Sequence, residues 1–186
     1  MIKIYLNILL AILITAFLST CKKQNIDPLS QLPLITQTGE DTFGCLVNGK
    51  AVTLKNGGFL NGSTFDGAHI GNNIFLISFT TNNSIIQNPP GFAFYIDSLK
   101  ISEGTTYILS RDKVEGFSSA HYTANANSNS TTPDFSTNEK VTGSLTITKY
   151  SLYNGATVLA GIFNYNAVDA KGDTVKITNG RFDFRP

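Results

Sequence analysis

The chain has no tryptophan, only two cysteines, and charged residues make up only 15% of it. Each shortage excludes something. The two cysteines, Cys21 and Cys45, cannot build a disulfide framework, so the fold must be held by its core. Lys and Arg number 14 against 13 Asp and Glu, a net charge of +1, with no basic stripe and no block of one sign. Nucleic acid is therefore a poor partner. Helix-favouring Glu-Ala-Leu-Lys patterns are missing after the first 20 residues, and Asn, Thr, Ser and Gly are abundant in their place. That composition belongs to a turn-rich, all-β extracytoplasmic domain. No Gly-rich phosphate loop precedes a helical pattern, which excludes nucleotide binding of that kind.

What is there begins at the N-terminus. Lys3 stands two places after the initiator Met, an apolar run extends from Ile8 to Leu18, and the stretch closes Leu18-Ser19-Thr20-Cys21. At about 11 residues the run falls well short of the ~20 that span a bilayer. A basic start, a short apolar middle and small residues at the end describe a secretory signal peptide. A Cys directly after the cut resembles the lipobox of bacterial lipoproteins. That resemblance implies a signal peptide over 1–20 and lipidation of Cys21, with palmitate among the acyl chains. Thr20 stands where Gly, Ala or Ser is usual. Simple secretion and a retained N-terminal helix are the alternatives. Position 22 is Lys rather than Asp, and by the same resemblance this favours the outer membrane. Either membrane face remains open.

Removal of the first 20 of 186 residues leaves 166, enough for one domain with a real core. Residues 21–41 are polar, carry two prolines and sustain no period, and so read as a lipid-anchored tether. If flexible, about 20 residues reach roughly 25 Å and lift the domain off the headgroups. The domain is expected over 42–186. Asn48-Gly49 between two short apolar runs reads as a type I′ hairpin. Residues 74–80 are apolar on both faces and 92–99 alternate, which suggests buried strands. Further strands are expected at 105–110 and, more weakly, at 118–124. Residues 125–140 are so polar that they read as one long surface or binding loop.

The last 46 residues carry the clearest pattern, a three-strand meander turned at Asn154-Gly155 and at 169–172. Val175 and Ile177 are odd-numbered, whereas Phe182 and Phe184 are even. A strand of period 2 holds both pairs on one face only with an extra residue, and Asn179-Gly180 suits a G1-type bulge. A very tight hairpin there is the rival.

The stretch Thr36–Gly49, with Thr42-Phe-Gly-Cys-Leu-Val-Asn-Gly49, resembles the opening of a β-rich lipoprotein family of Bacteroidota whose function is unknown. The stretch from Gly161 to Asp183 resembles that family's ending. The resemblance implies class and address and carries no site residues with it.

Catalytic constellations are scarce. Gly116-Phe-Ser-Ser-Ala120 is a faint nucleophile-elbow pattern, but no helical pattern follows it. His69 and His121 are far apart and lack metal-ligand spacing, so no metal or cofactor is expected. Cys45 sits in an apolar run and reads as a buried small hydrophobe. Asp169 and Asp173 flank a Gly turn, a hairpin or a weak calcium loop. Without Trp, any sugar platform must use tyrosine: Tyr95, Tyr107, Tyr122, Tyr150, Tyr153 or Tyr165. Asp97-Ser98-Leu99 and Asp173-Thr174-Val175 resemble sites where some Bacteroidota attach O-glycans.

These readings lead to a single antiparallel β-sandwich of about 8 to 10 strands, with a lipocalin-like closed barrel as the alternative. In function they lead to a lipid-anchored, monomeric envelope protein. It is expected to be a non-catalytic binding or structural module with a glycan or envelope-protein partner. A hydrolase acting on an envelope or glycan substrate is the alternative, resting on address and scattered carboxylates.

Overall fold

The computed structural model describes residues 26–55, 63–70, 74–81, 90–97, 100–111, 114–124, 134–153 and 155–186. Residues 1–20, read above as a signal peptide, and Cys21 lie outside the described residues. A 3-10 turn at Pro28–Gln31 comes first, its N-terminus capped by the Asp27 carboxylate. Strands β1 (Thr42–Val47), β2 (Lys50–Lys55), β3 (Ser63–Ile70), β4 (Ile74–Thr81) and β5 (Gly91–Asp97) follow. Then come β6 (Thr106–Leu109), β7 (Ser118–Thr123), β8 (Asp134–Ser136), β9 (Gly143–Tyr153), β10 (Ala156–Val168) and β11 (Thr174–Phe184). Among the described residues no helix is long and apolar enough to cross a membrane.

All eleven strands belong to one hydrogen-bonded sheet in the order β2-β1-β11-β10-β9-β6-β7-β5-β4-β3, with β8 bridging β10 and β7. The pairings are antiparallel except the short parallel contact between β6 and β7. In a flat sheet, β1 and β4, seven steps apart, would be separated by about 34 Å. Instead the Phe43 and Phe79 ring centroids lie 4.5 Å apart. The sheet therefore folds over, and its two halves pack face to face as a sandwich. No ladder joins β2 to β3 among the described residues, so the described sheet stays open at these two edges.

The interior is aromatic. Phe43, Phe79, Phe92, Phe94, Phe163, Phe182 and Phe184 are all buried, and the rings meet across the sandwich: Phe94 on Phe163 at 4.9 Å, Phe79 on Phe182 at 5.1 Å. Burying each such ring contributes about 2 kcal/mol before entropy is counted. The bulge anticipated in β11 is present. Gly44 pairs with Arg181 and Leu46 with Thr178, so Asn179 and Gly180 together oppose Cys45. Asn179 has φ 53, the left-handed conformation such a bulge requires. The extra residue puts Val175, Ile177, Phe182 and Phe184 all inside. Gly180 is needed for a second reason, because a Cβ there would stand 2.2 Å from the Phe163 ring. The Asn48-Gly49 turn is also as expected, with φ 49 and 79.

Three expectations change. The strand count rises to eleven. One source is β8, inside the stretch read as a single polar loop; residues 125–133 of that stretch lie outside the described residues. Another is β3, in a stretch where no strand was expected. The tether reading gives way over most of its length, because residues 26–41 form a strap whose 3-10 turn contacts β2 and whose residues 32–41 lie against the domain. Leu32 is buried, and Pro33 covers Gly44 so closely that a Cβ on Gly44 would stand 2.4 Å from Pro33 Cδ.

The strap is fastened by Asp183, buried on the face of β11 opposite its phenylalanines. The Gly39 N–H donates to Oδ1 (2.8 Å), and the N–H groups of Thr38 and Glu40 donate to Oδ2 (3.0 and 3.3 Å). Gly39, with φ 77, turns the chain so that three successive amides converge on one carboxylate. Arg181 Nη1 donates to the Pro33 carbonyl (3.1 Å), and Arg185 Nη2 donates to that of Thr38 (2.8 Å).

Candidate functional site

The inward faces of β4, β5 and β7 are filled by core, which leaves their outward faces for function. On β5, Phe92, Phe94 and Ile96 point in, so Ala93 and Tyr95 point out. On β4 the outward set includes Leu76, Ser78 and Thr80. Register aligns Ser78, Ala93, His121 and Ser136 in one row across β4, β5, β7 and β8. Ser78 and His121 stand two strand spacings apart, about 9.5 Å, and only the methyl of Ala93 lies between them. The result is a groove of about 280 Å³ floored by Gly91 and Ala93 and walled by Leu76, Tyr95, His121 and Thr123.

The wall is ordered. The Tyr95 ring meets the His121 ring edge-on, with centroids 5.1 Å apart at 72°. His121 Nδ1 lies 3.9 Å from Asp134 Oδ2, an ion pair whenever the imidazole is protonated. Thr123 Oγ1 donates to Asp134 Oδ1 (3.3 Å). Beneath, the Tyr165 hydroxyl donates to the His121 carbonyl (3.2 Å), and burial holds that phenol well above its ordinary pKa. Thr137 Oγ1 accepts from the Ala120 N–H (3.0 Å), fixing the end of β8 against β7. The groove thus offers one aromatic face, an imidazole and hydroxyls around a floor of small residues, with the Asp134 carboxylate behind His121 and Thr123.

The other residues singled out by sequence fall elsewhere. Cys45 is fully buried, and burial pushes its thiol up to about 12, so it is a core group and not a nucleophile. His69 lies on β3 opposite Phe75, with β4 and β5 between it and β7, so the two histidines do not share a site. Gly116–Ala120 leads from a turn into β7, a strand, and thus lacks the helix of a nucleophile elbow. Asp169 Oδ1 accepts from the N–H groups of Lys171 and Asp173 (2.9 and 2.8 Å), as a hairpin turn requires. Among the described residues no three His, Cys, Asp or Glu gather as a metal set. Tyr107 and Tyr165 are buried, and Tyr122 and Tyr150 pack against the core. Thr174 is exposed at the start of β11, while Ser98 lies outside the described residues.

Asp134 and Thr137 carried no sequence signal of their roles. For Asp183 a hint exists: an acid between Phe182 and Phe184 on an inward-facing strand needs a partner on the opposite face. Compared with known proteins, the chain matches no family model, no curated protein and no solved structure.

Proposed function

We propose that the chain is a lipid-anchored envelope protein, held at the outer membrane through Cys21, whose domain is a non-catalytic module that binds a carbohydrate in the β4–β5–β7–β8 groove. The address is supported by the lipobox resemblance at Leu18–Cys21 and by the resemblance of residues 36–49 and 161–183 to Bacteroidota lipoproteins. The observation that carries the binding reading is the Tyr95–His121 wall over the Gly91–Ala93 floor. Sugar rings present apolar C–H faces and hydroxyl edges. An aromatic ring takes the first, and His121, Thr123 and Ser78 suit the second.

Two measurements test the reading. Cys21→Ser should abolish palmitate labelling and release the protein from membranes; continued labelling would contradict the anchor. A glycan array should return a binder that Tyr95→Ala weakens at least about tenfold, or 1.4 kcal/mol. An array with no binder, or cleavage of the bound glycan, would contradict the module.

A further inference from the structure

We infer that the strap carries a membrane-contact surface: Ile26, Leu29, Leu34 and Ile35 enter the interfacial region of the bilayer that holds the lipid. The inference rests on the Cys21 anchor proposed above. Its first support is composition. These four side chains are 60, 46, 83 and 61% exposed, and they fall within ten residues. Of the other five exposed large apolar side chains among the described residues, Ile108, Val114 and Phe117 also fall within ten residues, but they are less exposed on average, at 62, 38 and 37%, and the Arg111 guanidinium lies over the Phe117 ring. A soluble domain has no reason to concentrate them in one segment, and such a concentration marks an interaction surface.

The second support is how the strap is held. Its inward contacts are Leu32 and Pro33, and its fastenings are polar, from Arg181, Asp183 and Arg185 to the strap backbone. The remaining apolar side chains are thereby kept on the outside. The third support is chain length. Four residues separate Cys21 from Ile26, so the two Cα atoms lie at most about 18 Å apart. The start of the strap is thereby held within that distance of the membrane surface once the lipid is inserted. Lys22 and Lys23 lie in that short span and favour an anionic surface. The domain then rests on the bilayer and does not float above it on a long spacer.

Because the chain has no tryptophan, single reporters can be introduced. Leu34→Trp and, outside the strap, Ile108→Trp both replace exposed residues, 83 and 62%. Each is made in the full acylated chain and reconstituted into phosphatidylcholine–phosphatidylglycerol vesicles with and without brominated acyl chains. Brominated lipid should quench the reporter at 34 about twofold or more and leave the reporter at 108 nearly unchanged, as interfacial insertion of one segment requires. Flotation with the vesicles without quenching at 34 overturns this inference and leaves the anchor standing. A chain that carries no acyl group and does not float overturns both. A reporter at 34 already shielded before vesicles are added, with a mass that doubles, overturns the inference in favour of a second copy of the chain.

Discussion

The interior of the sandwich and the strap that closes its outer face obey opposite rules. Inside, rings from both halves of the sheet meet and polar side chains are nearly absent; Cys45 is there as a hydrophobe. In the strap, a buried carboxylate gathers three amides while Ile26, Leu34 and Ile35 stand in solvent. The interior is held by area, which is non-directional and tolerates small shifts. The strap is held by aimed hydrogen bonds to a charged acceptor, which are stronger singly and fail when the acceptor changes. The interior makes the fold, and the strap decides how the fold is presented.

The largest expected effect breaks the interior. Phe79 touches rings from β1, β3 and β11. Phe79→Ala should cost about 3–5 kcal/mol in denaturant unfolding, with every spectroscopic probe moving together. Next comes the strap. Asp183→Asn leaves one carbonyl oxygen to serve amides that now use two, and it turns an NH₂ toward N–H donors. It should cost about 2–4 kcal/mol, with strap exposure as a separate, earlier transition.

Cys45 gives a smaller, pH-dependent test of the interior. Its thiol titrates near 12 in the fold against 9.0 when exposed, so the folded state holds the proton longer. Stability is unaffected below about pH 9 and falls between there and 12, by about 1–2 kcal/mol at pH 10. Cys45→Ala should make that alkaline slope shallower, leaving the part set by the buried Tyr165. Smallest of all, Leu34→Ser should change stability by no more than about 0.5 kcal/mol, because the side chain touches water. A large loss there would mean that the strap is packed like the core.

Much of the fold was legible because period-2 burial and turn chemistry are local. Asn48-Gly49 fixed one hairpin, and the parity switch between Ile177 and Phe182 located the bulge at Asn179-Gly180. Strand β3 escaped because Gly67 sits at an inward position: a Cβ there would stand 2.8 Å from Leu159, so the apolar signal is missing where the packing is tightest. Alternation gives the inward face but not the neighbouring strand, which is why one folded sheet was not separable from two. The strap escaped for the same kind of reason. Its attachment depends on Asp183, more than 140 residues away, and long-range polar pairing leaves no periodic trace. Of the candidate site, Tyr95 and His121 were visible as residue types, whereas the row that unites them is a product of register.

The most direct test of this contrast is amide hydrogen exchange at Thr38, Gly39 and Glu40 in the native chain and in Asp183→Asn. The account expects protected amides in the native chain and fast exchange at these three in the variant, with β4, β5 and β10 still protected. Fast exchange at all three in the native chain, or loss of protection throughout the variant, would contradict it.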